Sequence, residues 1–151
     1  MNIIPINRKL RQYIPAGGPN LRWNDRLGPG YREEWIKMDD ESGFDVRILG
    51  KLCDPFLSMP TTYPPDPNEA MKNLMAFVYP TISMTTEIRR DPKGAEWLFV
   101  KIRSQKVENG RYSVDITILD EEGDLVALSR NMGLMIAVPG GLKVVGSAEK
   151  L

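Results

Sequence analysis

The residue pattern predicts an α+β domain in which one long helix packs against a sheet of antiparallel strands. Three observations carry that class. The stretch Phe44 to Met59, FDVRILGKLCDPFLSM, places apolar residues at Phe44, Ile48, Leu52 and Phe56 and again at Leu49 and Cys53. That is the three-and-four spacing of one helix face. From Tyr79 onward the apolar period drops to two, the period of strands. Asn109-Gly110 falls between two such alternating runs and is the strongest short hairpin signal in the chain. One apolar helix and one sheet can bury their faces only on each other, so the sheet should wrap around the helix.

In chain order, residues 1–30 carry Pro5, Pro15, Pro19 and Pro29 with glycines and basic residues between them, and read as an extended arm. Tyr31 to Met38 is a first strand, partly buried, with Trp35 and Lys37 on one side and Glu34 and Ile36 on the other. The central helix follows. Ser42, with Asp45 three residues on, reads as its capping box. Pro60 to Pro67 (PTTYPPDP) is a stiff connection, and Asn68 to Phe77 a short second helix. In the next strand Ile82, Met84, Thr86 and Ile88 share one face, opposite Thr81, Ser83, Thr85 and Glu87. Trp97 to Gln105 turns Leu98, Val100 and Ile102 inward, leaving Trp97 and Phe99 to cover a second apolar surface or to meet a partner. Arg111 to Leu119 alternates through Tyr112, Val114, Ile116 and Ile118. Glu121-Glu122-Gly123-Asp124 turns the chain into Leu125 to Val138, where Gly133 signals a bulge or a close backbone approach. This divides the chain into an arm (1–30), a domain (31–140) and a tail (141–151).

A chain of 151 residues fits one domain. Such a domain buries roughly two thirds of its unfolded surface and needs no staple. The 20 basic and 20 acidic residues cancel and are interspersed, a poor composition for nucleic acid. The single cysteine makes no internal disulfide, which points to a reducing, cytoplasmic location. No run suits a signal peptide or a membrane span. The terminal Glu149-Lys150-Leu151 only partly resembles a peroxisomal address, because Glu149 stands where that signal has serine. The absence of histidine excludes Ser-His-Asp and Cys-His nucleophiles, imidazole shuttles and His-ligated metals. Any chemistry falls to hydroxyls, carboxylates, amides and backbone N–H groups, with no cofactor and no metal expected. Cys53, on the apolar helix face, reads as packing.

Asp54 is the unusual residue of the helix. It follows Leu52 and Cys53 inside the apolar run and precedes Pro55, which disfavours helical backbone at the residue before it. Two readings are open. A carboxylate held against an apolar element loses solvation, which turns an ordinary acid into a useful base. Alternatively, Asp54 caps a second helical turn that begins at Pro55.

Helix then meander, with LCDPF in the helix, YPTISM opening the second strand and EWLFVKIRSQKVENGRYSVDITILDEEGDLVALSRNMGLMIA closing, resembles the hotdog fold. More narrowly it resembles the C-terminal half of the double-hotdog acyl-CoA thioesterases, the thioesterase II-like family. The likeness runs from about Gly30 to Val138. It implies that the arm corresponds to the linker between the two halves and that the N-terminal hotdog is absent. In that family a water is held for attack on the thioester carbonyl by an aspartate of the central helix, a threonine at the start of the next strand and a glutamine of the last strand. The resemblance places these roles on Asp54, Thr81 and Asn131. Asn131 is a departure: its amide stands roughly 1.5 Å further back, one C–C bond. A displacement near 1 Å can cost about a hundredfold in rate.

Ordinary readings stand beside these. Thr81 is also a plausible β-branched strand residue after Pro80, and Asn131 a polar residue facing water near a bulge. Arg130, beside Asn131, is expected near the groove, where it would pair with a carboxylate or enolate oxygen. Phe56, Met84 and Met132 are expected to line an adaptable apolar pocket for an acyl or polyene chain, with core filling as the other explanation. Arg89, Arg90, Lys101, Arg103 and Lys106 either meet coenzyme A phosphates or are solvated strand charges. A lone hotdog leaves a sheet edge open, so a homodimer with the site at its interface is expected. The likeness implies a hydrolase of acyl-CoA or acyl-carrier thioesters. Two other functions are kept: a polyketide cyclase in which Asp54 deprotonates a substrate hydroxyl or enol, and a non-catalytic binding subunit. Hotdog dehydratases use a histidine that this chain lacks.

Overall fold

The computed structural model describes residues 10–13, 28, 30–54, 72 and 76–140. Strands run β1 (Leu10–Tyr13), β2 (Tyr31–Met38), β3 (Phe77–Val78), β4 (Thr81–Ile88), β5 (Trp97–Glu108), β6 (Arg111–Leu119), β7 (Leu125–Leu134) and β8 (Ile136–Ala137), with helix α1 (Val46–Leu52) between β2 and β3. Six of them form one sheet in the order β1-β2-β5-β6-β7-β4, and β3 pairs with β8. Every pairing is antiparallel. Among the described residues no helix is long and apolar enough to cross a membrane.

The alternation predicted for β5 and β6 is found. Leu98, Val100, Ile102, Tyr112, Val114, Ile116 and Ile118 all lie at 3% exposure or less and form the core with Leu49, Leu52 and Cys53 of the helix. Asn109 and Gly110 have φ of 51° and 69°, the left-handed pair that a two-residue hairpin needs, and Glu108 pairs with Arg111 across it. On the outer face a cross-strand row runs Tyr13, Trp35, Phe99, Leu119, and the Trp35 and Phe99 rings stand 4.8 Å apart. Trp97 and Phe99 thus cover a second, outer apolar surface.

Two expectations change, in the arm and at the start of the helix. The arm 1–30 contributes a strand: β1 extends the sheet beside β2. The capping box does not form. Phe44 is pinned by backbone bonds in both directions, from its N–H to Ala95 O (3.0 Å) and from Gly94 N–H to Phe44 O (3.2 Å). The helix therefore starts beyond it, with Asp45 as N-cap accepting from Arg47 N–H (2.9 Å), while Ser42 N–H turns back to Asp40. The described helix spans seven residues, and the rest of the stretch predicted to Met59 lies outside the described residues, as does most of Asn68 to Phe77. Finally, the bulge lies in β4: Thr81 pairs with Gly133 and Ser83 with Met132, so Ile82 is the extra residue. Gly133 itself serves close approach. A Cβ there would stand 2.4 Å from the Tyr112 ring, which lies across β7 to donate from its hydroxyl to Tyr79 O (3.2 Å).

The inner face of β2 carries an ion pair. Arg32 and Glu34 are buried at 2% and 0%, and Arg32 Nη2 lies 2.5 Å from Glu34 Oε2. Arg32 Nε, Arg32 Nη1 and Glu34 Oε1 meet no partner among the described residues. A buried pair with so few hydrogen bonds regains little of its lost hydration, yet removing one member strands the other charge. Arg32→Met is therefore expected to cost about 3–5 kcal/mol in urea denaturation, whereas Arg32→Met with Glu34→Leu should match or exceed the wild type.

Candidate active site

The site grows from the end of α1. Its last turn closes through Cys53 N–H to Leu49 O (2.8 Å) and Asp54 N–H to Lys51 O (3.2 Å). This sets the Asp54 side chain, half-buried, beside the first residue of β4, where Thr81 Oγ1 donates to Asp54 Oδ1 at 3.2 Å. Strict alternation would turn Thr81 away from Met84. The extra residue Ile82 resets the phase, so Thr81 and Met84 both share the inner face with their partners Gly133 and Asn131.

Asn131 is 1% exposed. Its Nδ2 donates to Cys53 O at 2.7 Å, and its Oδ1 lies 3.1 Å from Ser129 Oγ. Asp54, Thr81 and Asn131 are thus gathered around the helix end, but the amide faces the main chain beneath Asp54, not water. Met84, directly across from Asn131, is 46% exposed on β4, an edge strand among the described residues.

Arg130 and Met132 do not join this group. With Asn131 turned in, the period of two turns its neighbours out. Arg130 Nε pairs with Asp115 Oδ1 at 2.9 Å on the outer face, and its side chain is 78% exposed. Met132 lies on that same face, 41% exposed. Phe56 lies outside the described residues. Other strand cations have local partners: Arg89 with Glu87, Arg90 with Asp120 and Asp124, Lys106 with Glu108, and Lys101 over the Phe99 ring. Sequence reasoning passed over Ser129 and Tyr112. Ser129 was legible, two residues before Asn131 and so on its face. Tyr112 needed the cross-strand register with Gly133.

Burial pushes the Cys53 thiol up, past the smaller opposing effect of the Thr86 and Ser129 hydroxyls, in keeping with a packing role. Burial, with a smaller push from Tyr112, raises Tyr79 to about 12, so its phenol keeps its proton at neutral pH. Asp54 follows the C-terminal, negative end of α1, where the helix dipole offers no help to an oxyanion. What remains is a carboxylate with one oxygen engaged by a hydroxyl, an arrangement able to hold and deprotonate a small nucleophile.

Residues 4–135 match the family model of the acyl-CoA thioesterase C-terminal domain. The chain is 29% identical to the thioesterase-like protein TwmA of Talaromyces wortmannii, over 85% of this chain and 41% of that protein, so it spans about two fifths of the relative's length. It is similar to a protein of unknown function with a hot dog fold from Alicyclobacillus acidocaldarius, with a TM-score of 0.64, 17% identity, and coverage of 87% of this chain and 47% of that one. It is also similar to smu.793 of Streptococcus mutans UA159, bound to acetyl CoA, with a TM-score of 0.54, 16% identity, and coverage of 76% and 85%. These likenesses show the hotdog fold.

Arg130 can be tested apart from the chemistry. Burial opposes the charge of Asp115, but hydrogen bonds from Arg130 and Gln105 and the charges of Arg130 and Arg103 outweigh it, so the carboxyl titrates below its usual range. A carboxyl lowered by folding adds stability above its unfolded value and loses it as pH falls through the folded one. Arg130→Met should be slightly less stable than wild type in urea at neutral pH, with the gap closing in acid.

Proposed function

The chain belongs to the acyl-CoA thioesterase C-terminal domain family, and from that premise we propose that it hydrolyses an acyl thioester of coenzyme A or of an acyl-carrier protein, with Asp54 as general base. The observation that carries this reading is the 3.2 Å bond from Thr81 Oγ1 to Asp54 Oδ1 at the end of α1. Thr81 orients the carboxylate, leaving Oδ2 to accept a proton from water. The water oxygen bonds to the thioester carbonyl carbon, the C–S bond breaks, and the thiol leaves with a proton as the acid forms. The name of the Talaromyces relative and the acetyl CoA in the streptococcal neighbour support an acyl thioester as the substrate class.

One observation favours a second reading. The Asn131 amide is engaged with Cys53 O and Ser129, so among the described residues Asp54 and Thr81 are left to hold a water. A hydroxyl or enol already tethered in the substrate needs no third holder. Cyclisation of a polyketide thioester to a lactone or pyrone uses the same base. A non-catalytic binding subunit is the reading left if neither reaction is accelerated.

Thr81 and Met84 sit on β4, which among the described residues is an edge of the six-stranded sheet. Ile82, Met84 and Ile88 are 51%, 46% and 48% exposed there, a poor surface for water and a good template for another strand. The proposal therefore includes a homodimer paired along β4, which would cover the surface beside Asp54.

Free thiol released from a panel of acyl-CoAs tests hydrolysis. Asp54→Asn should lower kcat/KM by about 10²–10⁴-fold, the usual worth of a positioned base, and Thr81→Val by about tenfold, roughly one hydrogen bond. Inert acyl-CoAs with accelerated ring closure of a polyketide thioester would replace hydrolysis by the cyclase. For the interface, light scattering should find a dimer that Ile88→Lys converts to monomer with loss of turnover. A wild-type monomer with full activity would remove the dimer.

A further inference from the structure

We propose that Ser129 and Asn131 are positioning residues that act through the Cys53 carbonyl to hold the Asp54 carboxylate against Thr81. This rests on the reading of Asp54 as a base and assigns Asn131 a task other than holding water.

The physical case starts at the peptide unit between Cys53 and Asp54. That unit is planar, so fixing its oxygen and its N–H fixes the plane from which the Asp54 Cα departs. Both ends are held: the oxygen by Asn131 Nδ2 at 2.7 Å and the N–H by Lys51 O at 3.2 Å. Cys53 O is one of the terminal helix carbonyls that lack an intrahelical partner, and Pro55, following Asp54, has no N–H with which to continue the turn. Asn131 is the side chain that supplies the missing donor.

The orientation of that amide follows from its partners. A carbonyl can only accept, so the group facing Cys53 O is the NH₂, and Oδ1 faces Ser129. Ser129 Oγ lies 3.1 Å from Asn131 Oδ1 and 3.2 Å from Thr85 O. Ser129 has one proton and three acceptors near it, Asn131 Oδ1, Thr85 O and the weakly accepting Cys53 sulfur; Oδ1 is the nearer of the two oxygens and is buried away from water, so the proton is assigned to Asn131. Thr86 Oγ1, 3.2 Å away, then donates to Ser129. The resulting chain of donors runs from Thr86 through Ser129 and Asn131 to Cys53 O. It anchors the base to β4, the same strand that supplies Thr81.

The two tasks make opposite demands at position 131. A water-holding asparagine is short by one methylene, and Asn131→Gln would raise hydrolysis. A positioning asparagine fills a slot at 1% exposure between two fixed partners, and the longer side chain pushes Asp54 out of place. In the full-length protein, Asn131→Gln is expected to lower kcat by about tenfold or more. Ser129→Ala should lower kcat by about tenfold, the worth of one hydrogen bond, with KM within about twofold, and Ser129→Thr should restore most of it. A merely structural serine would lower the melting temperature and leave kcat per folded molecule unchanged. A faster Asn131→Gln, or an unchanged kcat in Ser129→Ala, overturns the proposal. If the wild type turns over no thioester, the reading of Asp54 as a base fails on its own, and the anchoring is read by hydrogen exchange: the Asp54 amide should exchange at least about tenfold faster in Ser129→Ala, and equal rates overturn it.

Discussion

Burial of a seven-residue helix against the inner face of the sheet is the constraint from which the rest follows. Leu49, Leu52 and Cys53 are all 2% exposed or less, and each leucine contributes about 1.5–3 kcal/mol by leaving water. So short a helix has no stability of its own and exists because the sheet receives it. Its two ends are then fixed by different means. At the start, Phe44 exchanges backbone bonds with Gly94 and Ala95; at the finish, a strand side chain reaches the Cys53 carbonyl. An acid placed just beyond that second tether is delivered to one spot on β4.

Polar groups on the inner face are the cost of this arrangement, and the fold treats them in two ways. Under the helix end, Thr86, Ser129 and Asn131 satisfy one another and the main chain, so they can be buried without leaving bare donors. On β2, Arg32 and Glu34 have each other and little else among the described residues. The first group is economical because each hydroxyl or amide both gives and receives. The second joins two full charges through a single short contact, and a buried charge pair of that kind adds little to net stability.

How much of this could be read from the chain depends on whether the deciding contact is local. Alternation in Trp97 to Leu119 and the Asn109-Gly110 turn are local properties, and the strands, the hairpin and the core side chains were legible from them. Ser42 misled because the helix start is set by Phe44 bonding to residues about fifty positions away. Asp54 stood out by its place in an apolar run before Pro55, but Thr81 was legible only through family likeness, since one extra residue at Ile82 reverses the face that alternation assigns to it. Arg130 was misplaced for the opposite reason. Alternation does hold in β7, and adjacency to Asn131 in sequence means the other side of the sheet in space.

The position of β4 ties assembly to chemistry more closely than a central strand would. An edge strand has unpaired backbone along one side, and here its inner face also carries the hydroxyl that meets the base. In an isolated subunit that edge is free to fray, and fraying at Thr81 loosens the carboxylate it holds. Pairing β4 with another strand would satisfy the backbone and cover Ile82, Met84 and Ile88 in one step. Water exclusion then strengthens each polar contact at Asp54. Under the proposed dimer, a site built on this edge would be completed by association, and the same residues would serve the site and cover the strand edge.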